Sequence, residues 1–256
     1  MRPAQPAERP RAVANGVRAL GGDLASLLLP LGCAGCGRWD VAICKQCRHR
    51  WRGRLQRCEQ DTVSLSDSEH PPRPGLPVWA LVPYQGEARR MVLQWKNHTR
   101  TDLHPFFAEV GRRAGAELAP LLRLPASTRA SVLVLPAPSG WRRRVRRRLV
   151  VADLAREVGE GLRRHLAAVE VRDLLRTPDA SLHRLGAAGR VSNRRVHLRP
   201  GRANEPITAP VLLIDDVVTT GSTLAACRRL LAQRGVTVLG ALVLAATPPP
   251  GSRTWH

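Results

Sequence analysis

The sequence predicts an α/β fold, a parallel sheet flanked by helices, with a small metal-binding module at its N-terminal end. Three observations predict it. Apolar runs without alternation, VLLI at 211–214 and VLVLP at 132–136, suit strands buried on both faces, as in a parallel sheet. Segments with helical apolar spacing separate such runs, the order expected when helices cover both faces of a sheet. Near the N-terminus, Cys33, Cys36, Cys44 and Cys47 read CAGC, seven residues, then CKQC, two closely spaced pairs on knuckle turns.

Taken along the chain, residues 1–30 are expected to be a tail rich in Pro, Arg and Ala followed by a short helix through Val13, Val17, Leu20, Leu24 and Leu28. Residues 31–58 form the knuckle. Four thiolates at this spacing select a structural Zn2+, and disulfides are the alternative, the poorer one without a secretory signal. His49 is a ligand only if one of the four cysteines fails. Residues 59–77 read as a linker, with Ser and Pro dense from 64 onward and no periodicity. The main domain is 78–256. In it VWALVPY is a strand, and 103–124 a helix with Leu103, Phe106, Phe107, Val110, Ala114 and Leu118 inward. SVLVLPAP is a buried strand, and the arginine run WRRRVRRR at 141–148 comes after it. A helix through Leu154, Ala155, Val158, Leu162 and Leu166 follows. After VLLIDD, the stretch LAACRRLLAQRG carries Leu224, Cys227, Leu230 and Leu231 on one helical face and closes at Gly235. VTVLGALVLAA at 236–246 is the length of a strand, too short to cross a membrane.

The net charge of +21 suits a nucleic-acid partner, although the excess is almost all arginine, with Lys45 and Lys96 the two lysines. Aromatic residues make up 4%, which limits base stacking. No membrane insertion is expected, and the cytoplasm is the expected compartment.

The densest chemistry is VLLIDDVVTTGST at 211–223. A helix start leaves backbone N–H groups unpaired and carries partial positive charge, so small residues there admit a phosphate. Carboxylates ahead of the loop accept hydrogen bonds from sugar hydroxyls. A ribose 5-phosphate satisfies both halves; the plainer alternative is a Thr or Ser helix cap beside a solvated acidic turn.

This string resembles the phosphoribosyl pyrophosphate signature of type I phosphoribosyltransferases. The resemblance implies that Asp215 and Asp216 hold the ribose hydroxyls and that Thr219, Thr220, Gly221, Ser222 and Thr223 cradle the 5′-phosphate. With the cysteine knuckle ahead of it, the chain from about Leu31 to about Ala246 resembles the ComF family of competence-associated proteins. The segment YQGEARRMVLQWKNH agrees at Tyr84, Gly86 and Lys96, and VLVLPAP with the arginine run after it resembles the family's proline-flanked strand and basic loop. The resemblance implies a type I phosphoribosyltransferase-like domain beside the zinc module. It places pyrophosphate near Ala137, Pro138 and Ser139. A diphosphate there calls for cations, and Arg142 and Arg143 are the expected clamp, with nucleic-acid backbone contact and a merely solvated face as the alternatives for the arginine run. Lys96 is expected either to meet an anionic group or to be a surface cation, and residues 176–193, polar and glycine-bearing, are the expected cover that excludes water. The chain reads RLVV at 148–151 where the family has Gly-Phe-Asn-Gln, and TPDA at 177–180 where it has Thr-Pro-x-Gln. Three roles stay open: transfer of the phosphoribosyl group to an acceptor with Mg2+ on the diphosphate, sensing of phosphoribosyl pyrophosphate, and handling of single-stranded DNA beside a DNA-uptake helicase.

Overall fold

A computed structural model describes residues 32–61, 75–97, 99–125, 131–138, 144–178, 195–202 and 205–248, with 61 and 144–149 described in their backbone alone. The expected helix at 13–29, Ser139, Arg142, Arg143, and most of the 59–77 and 176–193 segments lie outside the described residues.

The central sheet has six strands in the order β1 (Gln56–Arg57), β2 (Val78–Pro83), β8 (Val238–Ala246), β7 (Val211–Val218), β3 (Ser131–Pro136) and β4 (Ala168–Val171). All neighbours pair in parallel except β1, which is antiparallel to β2 at one edge. A separate antiparallel pair joins β5 (Leu175–Arg176) to β6 (His197–Leu198). The helices are α1 (Lys45–Arg50), α2 (Gly86–Lys96), α3 (Leu103–Leu118), α4 (Arg144–Leu162) and α5 (Ser222–Ala232).

Side chains on a strand alternate between faces, and here both faces are covered. Leu212 and Ile214 of β7, with Val132 and Val134 of β3, pack into one cluster with α2, α3, α4 and the cysteine segment. Val211 and Leu213, with Leu133 and Leu135, pack into a second cluster with α5 and the β5–β6 pair. Leu212, Leu213 and Ile214 are fully buried, each contributing about 2 kcal/mol of apolar transfer. That is why the run is apolar at every position.

The expected strands at 78–83, 131–136 and 238–246 are present, as is the helix closing at Gly235, whose φ of 70° is left-handed. Three boundaries differ. The helix beginning at Leu103 ends at Leu118, because Pro120 cannot continue the hydrogen-bond ladder, and a 3₁₀ turn spans Ala119–Leu121. α4 begins at Arg144, so much of the arginine run is helix rather than loop. It ends at Leu162, short of Leu166, which lies in the connection to β4. The short strands β1, β4, β5 and β6 carry too few residues for periodicity to reveal.

α3 and α4 approach so closely that glycine is required at the contact. A Cβ on Gly115 would lie 2.2 Å from the Val158 carbonyl oxygen, and one on Gly161 would lie 2.0 Å from that of Arg112. Gly115→Ala and Gly161→Ala are each expected to cost about 1–3 kcal/mol in chemical denaturation. Gly53→Ala, where a Cβ meets nothing closer than 3.7 Å, is expected to leave stability unchanged.

Candidate functional site

β3 leads across to β4 on one side of the sheet, whereas β7 leads to β8 on the other. The crevice beyond the carboxyl ends of β3 and β7 is therefore the topological switch point of the sheet, where ligands of open α/β folds gather. The two strands pair up to Pro136 opposite Ile214, and the Ala137 N–H donates to the Ile214 carbonyl at 2.7 Å. Ala137 and Pro138 thus lie beside the acids, as the sequence places them.

The acids themselves sit inside a strand rather than on a turn. β7 continues through both to Val218, because β8 still pairs with it at Val243, Ala245 and Ala246. On the other side β3 has ended, so among the described residues no strand pairs with that edge of Asp215 and Asp216. Alternation sends the two side chains to opposite faces. Asp216 is buried and meets Lys96 at the end of α2, with Oδ2 2.7 Å from Nζ. Lys96, expected on pyrophosphate, is thereby paired to the second acid. Asp215 is half-buried, and its Oδ1 accepts the Asp216 N–H at 2.8 Å. Burial pushes its carboxyl up to about 8, the charge of Asp216 adds to this, and Lys96 opposes it.

The loop beyond is compact. Thr219 and Thr220 are exposed, and the Ser222 N–H donates to Thr220 Oγ1 at 3.4 Å. The helix cap is Gly221, at φ 76° and with no side-chain capping bond, so the reading of a Thr or Ser cap on α5 is replaced. A left-handed glycine here turns the chain into the helix without placing a side chain over its N-terminus.

The second site is the cysteine cluster. The sulfur atoms of Cys33, Cys36, Cys44 and Cys47 lie within 4.8 Å of one another. Cys36 and Cys44 are 3.7 Å apart, close to the edge of about 3.8 Å expected for a tetrahedron with Zn–S arms of about 2.3 Å. The Cys44 N–H points at the Cys33 sulfur at 3.3 Å, and that of Cys47 at the Cys44 sulfur at 3.5 Å. Burial raises the Cys33 thiol, but the backbone N–H groups of Cys44, Cys36 and Gly35 outweigh it and bring it down to about 6. Cys44 is lowered as well, mainly by the Cys47 N–H, whereas burial and the neighbouring sulfurs push Cys47 up. Four thiolates cannot crowd together without a cation between them, so this donor set fits a zinc ion. His49 is exposed and outside the cluster. Cys58 and Cys227 are fully buried, the first bonding through its N–H to the Val78 carbonyl, so both belong to the core.

Sequence reasoning did not find how the cluster is held. Arg90 donates to the Gly35 carbonyl and Gln94 to that of Ala34, the two residues inside the first knuckle. Arg100 donates to the carbonyls of Gly32 and Ala42. Trp51, 1% exposed, donates its indole N–H to Met91 Sδ at 3.4 Å and packs edge-on against Phe107. The knuckle therefore shares the core of the α2–α3 face. Arg90 and Gln94 stand at i and i+4 of one helix, but carbonyl partners 55 and 60 residues away leave no local pattern.

Among the described residues, no helix is long and apolar enough to cross a membrane. No protein-family model matches the chain, and a search of curated proteins finds no match.

Two tests follow from this geometry. Lys96→Met leaves Asp216 buried without its cation and is expected to cost about 3 kcal/mol, and Lys96→Met combined with Asp216→Asn to cost less than the sum, in a denaturation cycle. Asp215 holds its proton from its ordinary value of 3.8 up to about 8 in the folded chain. Its contribution is thus full below about pH 4 and lost as pH rises through about 8. Asp215→Asn is expected to be increasingly favoured over the wild type from pH 5 to pH 9, read as the difference in urea midpoints.

Proposed function

We propose that this chain is a ComF-like cytoplasmic protein with a type I phosphoribosyltransferase-like domain, and that it binds phosphoribosyl pyrophosphate. The observation that carries the reading is the placement of the acid pair and the TTGST loop together at the switch point, with Ala137 and Pro138 alongside. The start of α5 at Gly221 receives the 5′-phosphate on backbone N–H groups and on the hydroxyls of Thr219, Thr220, Ser222 and Thr223. Asp215 and Asp216 accept from the ribose hydroxyls, and Lys96 keeps Asp216 in place and offsets its charge. Ser139, Arg142 and Arg143, which follow β3 in the sequence, are the proposed contacts to the diphosphate. Magnesium would neutralise that diphosphate, taking most of its ligands from phosphate oxygens. Where an acceptor amine or base is admitted, the anomeric carbon loses pyrophosphate and the acids hold the sugar rather than attack it. The same pocket without an acceptor is a sensor.

A second reading, single-stranded DNA handling beside a helicase partner, is favoured by the solvent face of the knuckle. Lys45, Gln46, Arg48, His49 and Arg52 line a concavity of about 530 Å³ with no carboxylate in its wall. Trp39, on the loop between the cysteine pairs, is 69% exposed and can stack on a base.

The test is calorimetric titration of phosphoribosyl pyrophosphate and Mg2+ into zinc-loaded protein. Saturable binding is expected for the wild type, with a loss of at least tenfold in Asp215→Asn/Asp216→Asn and in Thr219→Val/Ser222→Ala. No binding by the folded wild type removes the transferase and sensor readings and leaves the DNA reading, which fluorescence anisotropy of a labelled oligonucleotide checks directly.

A further inference from the structure

The cysteine cluster and the acid pair are connected by one helix. α2 turns Glu87, Arg90 and Gln94 toward the knuckle, a stripe at helical spacing. On that side Arg90 Nε lies 2.5 Å from the Gly35 carbonyl oxygen and Gln94 Nε2 3.1 Å from that of Ala34. Both carbonyls belong to the two residues between Cys33 and Cys36. Just past the helix, Arg100 is clamped by both Asp102 oxygens at 2.8 and 2.7 Å and donates to Gly32 and Ala42, so it holds the flanks of the first and second cysteine pairs. Two residues beyond Gln94, about 200° around the helix, Lys96 points to the sheet and holds Asp216.

The joint has little slack. A Cβ on Gly35 would lie 2.6 Å from the Cys47 sulfur and 3.3 Å from the Glu87 Cβ, so knuckle and helix are already in contact. On the far side Trp95 is 2% exposed and its ring lies 4.5 Å from that of Phe107, which prevents the helix from rolling independently of α3. The four carbonyls that receive these side chains have their positions only while the two cysteine turns are folded, and turns of this kind are organised by their metal.

We propose that α2 couples the metal centre to the acid pair: a metal-organised knuckle holds α2 so that Lys96 seats on Asp216, and breaking that seat loosens the knuckle in return. Lys96 is a positioning residue in this scheme, and the zinc cluster acts on the ribose site at a distance rather than as a separate module. Linkage makes the effect reciprocal, so it can be read at the metal.

The experiment measures zinc affinity of the full chain by competition with a chromophoric chelator. Lys96→Gln and Asp216→Asn are each expected to weaken zinc about five- to tenfold, within the usual range of coupling between sites. In an Arg90→Ala/Gln94→Ala background, which keeps all four cysteines, the two substitutions are expected to add less than twofold. Gly161→Ala, destabilising but remote from α2, is expected to leave zinc affinity within twofold of wild type, which separates coupling from general loss of stability. Zinc affinity within twofold of wild type in folded Lys96→Gln and Asp216→Asn overturns the proposal, as does an equal loss in Gly161→Ala. If these variants do not fold, the wild type answers: phosphoribosyl pyrophosphate with Mg2+ is expected to change the rate of zinc release at least threefold, and bound ligand with an unchanged rate overturns the coupling. Only this ligand arm rests on the proposed function. Absence of ligand binding together with weakened zinc in Asp216→Asn supports the coupling while removing the phosphoribosyl pyrophosphate reading.

Discussion

β7 is hydrogen-bonded on both edges and buried on both faces, and that single constraint orders the rest of the molecule. A strand so placed needs apolar side chains in both directions, which Val211 to Ile214 supply, and two layers of helices or strands to cover them. Its neighbours do not end together. β3 stops at Pro136 while β8 runs on to Ala246, so Asp215 and Asp216 remain in strand geometry yet lose one neighbour. Two carboxylates can persist at this depth because one acid has a lysine and burial raises the pKa of the other.

That division of charge is the central electrostatic feature. Two ionised carboxylates side by side in a poorly solvated setting repel each other, and the structure relieves the repulsion in two different ways. Lys96 compensates Asp216, and burial holds the proton on Asp215. The acid-pair end of the crevice is thereby nearly neutral, while the start of α5 retains its partial positive charge. The cysteine segment enters the same scheme through α2, since the helix that positions Lys96 is anchored on knuckle carbonyls. A small cysteine segment next to an α/β layer has little core of its own, and here it borrows the core of α2 and α3 through Trp51 and Ile43.

Much of this was legible. Unbroken apolar runs marked β3, β7 and β8, helical spacing marked α3 and α5, and cysteine spacing marked a tetrahedral donor set, because each signal is local and repeats within a few residues. The start of α4 was not legible, since arginines carry no periodic apolar face there, and neither were the two-residue strands. At the candidate site the residue types stood out, but their geometry did not. DD followed by VVTTGST reads as the end of a strand, and only the continuation of β8 beside it keeps Val217 and Val218 in the sheet.

The sequence by itself determined the layered α/β class, the four-cysteine donor set, and the adjacency of an acid pair to a small-residue helix start, because all of these follow from side-chain chemistry at short separation. Tertiary structure alone decided that Lys96 belongs to Asp216 and that Arg90, Gln94 and Arg100 belong to the knuckle. These pairings join residues 55 to 120 positions apart, and their partners are chosen by strand order and helix rotation, which no local pattern encodes.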